Sequence, residues 1–188
     1  MKKFTRVSGI VAPLLIDNID TDVIIPVPWM KTYGANLGEG LFGRWRYEKG
    51  DINDTAENDD FILNKPGYRN ATFLIAGRNF GCGSSREQAV WALAEFGIRC
   101  VIAPSFGDIF YNNCSKNGLL PLQLPANVID VIADFAQKSG GKVEMTIDLE
   151  NCELILPESE SIKFSIPAAL RETLINGRDF IDKTLMFA

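Results

Sequence analysis

Apolar residues along the chain fall into short runs and alternations punctuated by glycine and proline, a pattern that predicts alternating strands and helices. A first strand is expected over Ile10 to Ile16. It leads into the polar turn Asn18-Ile19-Asp20-Thr21-Asp22, then Val23-Ile24-Ile25 and the prolines at 26 and 28. Thr72 to Ala76 reads as a strand. Ala89, Val90, Leu93 and Phe96 follow at helical spacing, Gly97 supplies a stop, and Arg99 to Ala103 forms the next strand, closed by Pro104. That succession is a β-α-β unit.

Ser105 to Cys114 predicts a short helix or turn, followed by a strand that ends at Pro125. Ala126 to Lys138 places Val128, Ile132, Phe135 and Ala136 on one face and meets Gly140 and Gly141, which predicts an amphipathic helix. Val143, Met145, Ile147 and Leu149 alternate as in a half-buried strand. Leu154 to Leu156 and Ile162 to Ile166 continue the β pattern, and Pro167 opens a last helix that stops around Asn176-Gly177. Between the first strand and Pro66 the periodicity fails. Trp29 to Gly34 is expected to be a loop, Leu41 to Tyr47 one short helix, and Asp51 to Asp60 a solvated acidic connection. Calcium is excluded there, because an EF-hand loop starting at Asp51 needs glycine where Ala56 stands.

Composition narrows the class. With 188 residues and 46% hydrophobic content the chain can bury a core yet is short for two independent domains, so one domain over 1–188 is expected. A formal charge of −5 argues against a nucleic-acid surface. No apolar run reaches membrane-span length and Met1 to Arg6 is unlike a signal peptide, so a cytoplasmic protein is expected. Histidine is absent. That removes histidine acid–base chemistry, histidine-activated nucleophiles and the common zinc sites from anything the chain does alone. Cys82, Cys100, Cys114 and Cys152 stand far apart with no Cys-x-x-Cys pair, so an iron–sulfur or zinc site within one chain is not expected.

The remaining chemistry concentrates in Gly81-Cys82-Gly83-Ser84-Ser85-Arg86-Glu87, between a strand and a helix. Helix-terminal amides and the macrodipole favour an anion, and glycines 81 and 83 allow close approach. Ser84 with Glu87, or Ser85 with Gln88, has capping-box spacing, so the helix is expected to start at one of the serines and leave the other free. The spelling is neither a P-loop, which needs Lys where Ser84 stands, nor a dinucleotide fingerprint, which needs Gly where Arg86 stands. It is not a hydrolase elbow either, since Glu87 and Arg86 occupy the positions that would need glycine.

Three strings in order, Asn18 to Pro26, Asn79 to Glu87 and Pro104 to Phe110, resemble the signatures of the 3-isopropylmalate dehydratase small subunits, within the aconitase superfamily. The resemblance covers nearly the whole chain. It implies an α/β fold, the three-layer β/β/α swivelling domain of the aconitase type, and a large subunit that carries a 4Fe-4S cluster. It further implies reversible dehydration and rehydration between 2-isopropylmalate and 3-isopropylmalate in leucine biosynthesis, with the small subunit completing the pocket. By this likeness Ser84 is the base, acting as an alkoxide, Arg86 clamps a substrate carboxylate, and Ser85 adds a hydrogen bond or caps the helix. Asp22 supports the site or only forms an Asx-type turn. Residues Val27 to Tyr33 face the variable group of the substrate, where Trp29 and Met30 suit an isopropyl group. Lys31 either pairs with an additional carboxylate, as in a homoaconitase-like enzyme, or points to water. Gln88 stands where the likeness implies histidine. Related dehydratases acting on citraconate, methylmalate or homoaconitate, a stand-alone dicarboxylate-binding module, and a scaffold whose serines only cap a helix are the alternative readings.

Overall fold

A computed structural model of the chain describes residues 1–31, 36–53, 56–84 and 86–177. The strand expected over Ile10 to Ile16 is β2 (Val11–Leu14), and it is preceded by a strand not expected from the sequence pattern, β1 (Arg6–Gly9), which belongs to a different sheet. Gly9 marks the break: a Cβ there would lie 2.2 Å from Thr72 Oγ1, so the chain passes close against the Thr72 side chain as it changes sheet.

β2 lines up in parallel with β3 (Phe73–Ala76), β4 (Cys100–Ala103) and β5 (Leu120–Gln123), in that order. The crossovers are the helices α5 (Glu87–Phe96) and α6 (Asp108–Asn117), each closed by a left-handed glycine, Gly97 and Gly118. The period-two alternation divides the sheet cleanly. Val11, Phe73, Ile75, Cys100, Ile102 and Leu122 pack on one face, while Ala12, Leu14, Leu74, Ala76, Val101 and Ala103 pack on the other.

The first face meets a second, antiparallel sheet in the order β1, β6 (Met145–Asp148), β7 (Glu153–Ile155) and β8 (Ile162–Lys163). Helices α7 (Ala126–Ser139) and α8 (Ala168–Asn176) close the same core through Ile129, Ile132, Ala133 and Ala136 and through Leu170 and Leu174. The other face is covered by α5 and α6, so the layers run β/β/α. The strand expected from Val143 begins only at Met145, and the one expected to Ile166 ends at Lys163.

The stretch before Pro66 is more ordered than its sequence suggests. Thr21–Ile24 (α1), Val27–Lys31 (α2), Leu37–Gly40 (α3) and Gly43–Arg46 (α4) are single helical turns, so the loop expected from Trp29 is instead helical up to Lys31. Trp29 explains the glycines that follow. Its ring would lie 2.5 Å from a Cβ on Gly40 and 2.8 Å from one on Gly43, and it stacks on Tyr47 with centroids 6.2 Å apart. At 4% exposure it is a core residue, which corrects its expected place against a substrate side chain. Among the described residues no helix is long and apolar enough to cross a membrane.

Candidate active site

The loops that leave the C-terminal ends of β2, β3 and β4 are joined side by side, extending the parallel order beyond the sheet. Asn18 N–H donates to Arg78 O at 2.8 Å, Gly81 N–H to Ile19 O at 2.7 Å and Thr21 N–H to Cys82 O at 3.0 Å. On the other flank Phe80 N–H donates to Ser105 O at 3.1 Å and Gly107 N–H to Phe80 O at 2.9 Å. Asn79 Nδ2 donates to Asn18 Oδ1 at 2.9 Å, and both asparagines sit in the left-handed region, with φ of 58° and 57°.

This lattice dictates the residue types of the turn. Gly81 has φ of 74°, and a Cβ there would lie 2.2 Å from Phe110 Cγ. Its role is thus to let the Phe110 ring under the turn, rather than to admit a ligand. Gly107 is pressed in the same way, its added Cβ falling 2.6 Å from Gly81 O. Gly83, with φ of 90°, is exposed at the tip.

The helix after the turn starts later than expected. Arg86 is its N-cap residue and makes no side-chain capping bond, so the capping box predicted for Ser84 and Glu87 does not form. The physical reason lies with Glu87, whose Oε1 accepts from Asn117 Nδ2 at 2.9 Å and thereby ties α5 to α6 instead of reaching back. Ser84 is exposed and is held by its backbone: the Thr21 hydroxyl, buried, donates to Ser84 O at 2.8 Å. Ser85 lies outside the described residues, and with it the alternative capping pair to Gln88.

Arg86 and Asp22 come together as an ion pair through Nη1 and Oδ1, with their side chains 26% and 48% exposed. The same Nη1 is 4.0 Å from the Met30 thioether, which brings the end of α2 to the guanidinium. The Asx-type role weighed for Asp22 belongs to Asp20, whose Oδ1 caps α1 by accepting from Val23 N–H at 2.8 Å. The Lys31 side chain lies outside the described part of the structure. Burial, together with the Asp20 carboxylate, pushes the Cys82 thiol up, so it sits beside the turn as a neutral group. Buried Cys100 and Cys114 are pushed well up for the same desolvation reason.

Thr21 is the functional-turn residue that sequence reasoning left without a role. Its signal was a hydroxyl at a position flanked by Ile19 and Ile24, both buried, where a polar group needs a partner. Among the described residues no group of three or more His, Cys, Asp or Glu side chains is placed to hold a metal ion. A cleft of about 470 Å³ opens between Pro104, Tyr111, Leu124 and Pro167, away from Ser84 and Arg86. Ser84 is exposed and Arg86 half-buried, so the turn offers a hydroxyl and a guanidinium at the surface rather than inside that cleft.

Residues 1–127 match the family described as the aconitase C-terminal domain. A 3-isopropylmalate dehydratase small subunit from Rhizobium etli (strain CIAT 652) is 52% identical over 186 residues, 98% of this chain and 90% of that protein. The protein of the same name from Rhodopseudomonas palustris (strain TIE-1) is 53% identical over the same shares. The crystal structure of a 3-isopropylmalate dehydratase from Methanocaldococcus jannaschii superposes with a TM-score of 0.67 at 26% identity, covering 97% of this chain and 98% of that one.

Proposed function

We propose, from the premise that the chain belongs to the family of 3-isopropylmalate dehydratase small subunits, that residues 1–188 act as one swivelling domain supplying half of a hydro-lyase centre. The reaction is the interconversion of 2-isopropylmalate and 3-isopropylmalate by loss and return of water. The observation that carries the proposal is an exposed serine, Ser84, in a turn held by the neighbouring loops, with the guanidinium of Arg86, two residues on in the chain, fixed by Asp22.

In this reading Ser84 Oγ takes the carbon-bound proton of the hydroxy acid as the neighbouring carbon loses hydroxide, and returns it when water adds in the opposite sense. An alkoxide is costly in water and needs positive surroundings and exclusion of solvent. Arg86 supplies the charge. Asp22 holds its Nη1, which presents the Nε/Nη2 edge to a substrate carboxylate for a planar two-point contact. Ser85 and Lys31 are assigned to substrate binding with Arg86, and Asp22 to support.

The chain's own residues do not fit an iron–sulfur cluster. Cys100 and Cys114 are buried in the core, and Cys82 and Cys152 belong to different parts of the chain. We therefore assign the 4Fe-4S cluster to a large-subunit partner, where it supplies the Lewis acidity that hydroxide departure requires. In this reading activity depends on assembly with that partner, and the pair is assigned to the cytoplasm as part of the proposal.

Ser84→Ala tests the assignment in the complex reconstituted with the large subunit under anaerobic conditions. Loss of about 10³-fold or more in kcat, with assembly intact, is the expected result for removal of a proton-transfer group. Retained turnover would reject Ser84 as the base. Rates on citraconate and homoaconitate, compared with isopropylmalate in the same preparation, test the substrate.

A further inference from the structure

Arg46 is a buried cation that the proposed chemistry does not use. It ends α4 and is 8% exposed, yet its guanidinium donates to neutral oxygens: Nη1 to Gly38 O at 3.0 Å and to Glu39 O at 3.3 Å, and Nε to Asn64 Oδ1 at 3.3 Å. Among the described residues no carboxylate forms an ion pair with it. Burial, the largest influence on the group, pulls its pKa down from the ordinary arginine value. A cation in such a place costs stability that carbonyl dipoles and aromatic faces offset only in part. An aliphatic side chain would fill the space more cheaply, so the donors themselves need a use.

That use is visible in what the guanidinium joins. Gly38 O and Glu39 O belong to α3, so Arg46 clasps α4 to α3. The hairpin closed in this way forms the slot for Trp29, whose ring would lie 2.5 Å from a Cβ on Gly40 of α3 and 2.8 Å from one on Gly43 of α4. Trp29 belongs to α2, and the next residue, Met30, places its sulfur 4.0 Å from Arg86 Nη1. The Arg46 guanidinium also lies over the Phe96 ring, with Cζ 5.1 Å from the centroid, at the C-terminal end of α5. There α3 is pressed onto α5: a Cβ on Gly38 would lie 2.7 Å from Phe96 N, and Leu37 N–H donates to Glu95 Oε2 at 2.7 Å. Arg86 is the N-cap of that same helix. Arg46 therefore stands where the two elements that bring Met30 and Arg86 together are joined.

We infer that Arg46 is a positioning residue for the substrate clamp: it locks the α3–α4 hairpin onto Trp29 and onto α5, and so fixes Met30 against the Arg86 guanidinium. The inference rests on the proposed function, in which Arg86 binds a substrate carboxylate. Lysine at this position keeps the charge but has no planar fork with which to hold several acceptors and a ring at once.

In the complex reconstituted with the large subunit, Arg46→Lys is expected to raise KM about threefold to tenfold with kcat within about twofold, the scale on which residues remote from a ligand modulate its binding. In a Met30→Ala background the same substitution is expected to change KM by less than about twofold, because the link it acts through is already cut. Glu95→Ala, at an exposed position, loosens α3 from α5 without touching the core, and it is expected to raise KM about twofold to threefold, again only while Met30 is present. Urea midpoints check that each variant is folded. The free chain gives a second readout that needs no turnover. With methyl-labelled methionine, Arg46→Lys is expected to shift the magnetic resonance signal of the Met30 methyl, assigned through Met30→Leu, and to leave that of Met145, which is buried in the other core, in place. A KM factor that is equal with and without Met30 would reduce Arg46 to a residue of the fold and overturn the inference, as would a Met30 methyl that does not move. A wild-type complex without turnover overturns the proposed function instead, and the methyl signal still decides whether Arg46 places Met30.

Discussion

Arg86→Lys is the substitution that most directly separates a geometric role for the guanidinium from a purely electrostatic one. The wild-type side chain already uses Nη1 twice, in the ion pair with Asp22 and 4.0 Å from the Met30 sulfur. A lysine ammonium can sit against Asp22 or against a substrate carboxylate, but it has no second nitrogen in a fixed plane to do both. The loss is thus one charge-assisted hydrogen bond at the substrate, about 1.5–3 kcal/mol. At about 1.4 kcal/mol per decade this corresponds to roughly a 10- to 150-fold fall in kcat/KM, with KM raised and turnover slowed. Fold stability should hardly change, because the ion pair is half-exposed and such pairs contribute about 0–1 kcal/mol. Steady-state kinetics of the reconstituted complex and urea unfolding of the free chain measure the two quantities independently. Asp22→Asn leaves the cap on α1 to Asp20 and removes only the guanidinium's fixed partner, so a smaller loss is expected, and less than additive when combined with Arg86→Lys. Unchanged kcat and KM in Arg86→Lys would refute the clamp. A large drop in stability would instead assign Arg86 to the fold.

Gly81→Ala forces a Cβ into the left-handed region, about 1–2 kcal/mol, and into the Phe110 ring 2.2 Å away, about 1–3 kcal/mol of overpacking. Urea unfolding should show a loss of about 2–5 kcal/mol, and a change within 0.5 kcal/mol would mean that the turn is softer than its packing indicates. Asp148 gives a pH prediction away from the site: its carboxylate accepts from Asn151 N–H at 2.9 Å and Nδ2 at 3.0 Å and lies 3.4 Å from Arg6, with the Asn151 bonds chiefly holding its pKa below the ordinary value. A depressed folded-state pKa means that the stabilisation is complete above the unfolded value of about 3.9 and is lost as pH falls through the lower folded value. Asp148→Asn is therefore expected to be less stable by about 1 kcal/mol at pH 7, with the two stability curves converging in acid, and parallel curves would refute it.

What could be read from the sequence was whatever depends on near neighbours. Strands β3 and β4, helix α7 and the glycine stops at 97, 140 and 177 follow from local periodicity and from conformations glycine adopts cheaply. β1 was not legible because its partner, β6, is more than a hundred residues away and its own Arg6-Val7-Ser8-Gly9 alternation is mostly exposed. Trp29 was misplaced for the same kind of reason. Its neighbours in sequence are prolines, while the surfaces that bury it are Gly40, Gly43 and Tyr47. At the site, the Ser84–Arg86 string was visible as a motif, but the capping reading failed because Glu87 is bonded to Asn117 across two helices. No pattern local to the turn contains that information.

The missing cap also changes how the turn is stabilised. A serine held by its own helix would spend its hydroxyl on backbone amides; here the backbone of Ser84 is held instead, by Thr21 through its carbonyl, and the preceding residues by Ile19 and Phe106 through the bridged loops. The hydroxyl can be positioned without being consumed, which is what proton transfer requires of it. Position alone does not ionise it, though, since Ser84 is exposed and the charge of Arg86 is matched by Asp22. Water keeps such a hydroxyl protonated, and only its exclusion strengthens the guanidinium's field enough to matter. In the proposed division of labour the free chain thus carries correct geometry with the wrong dielectric, and the partner corrects the dielectric on docking. An isolated small subunit that exchanged the substrate's carbon-bound proton with solvent, without any large subunit, would break that reasoning at its central step.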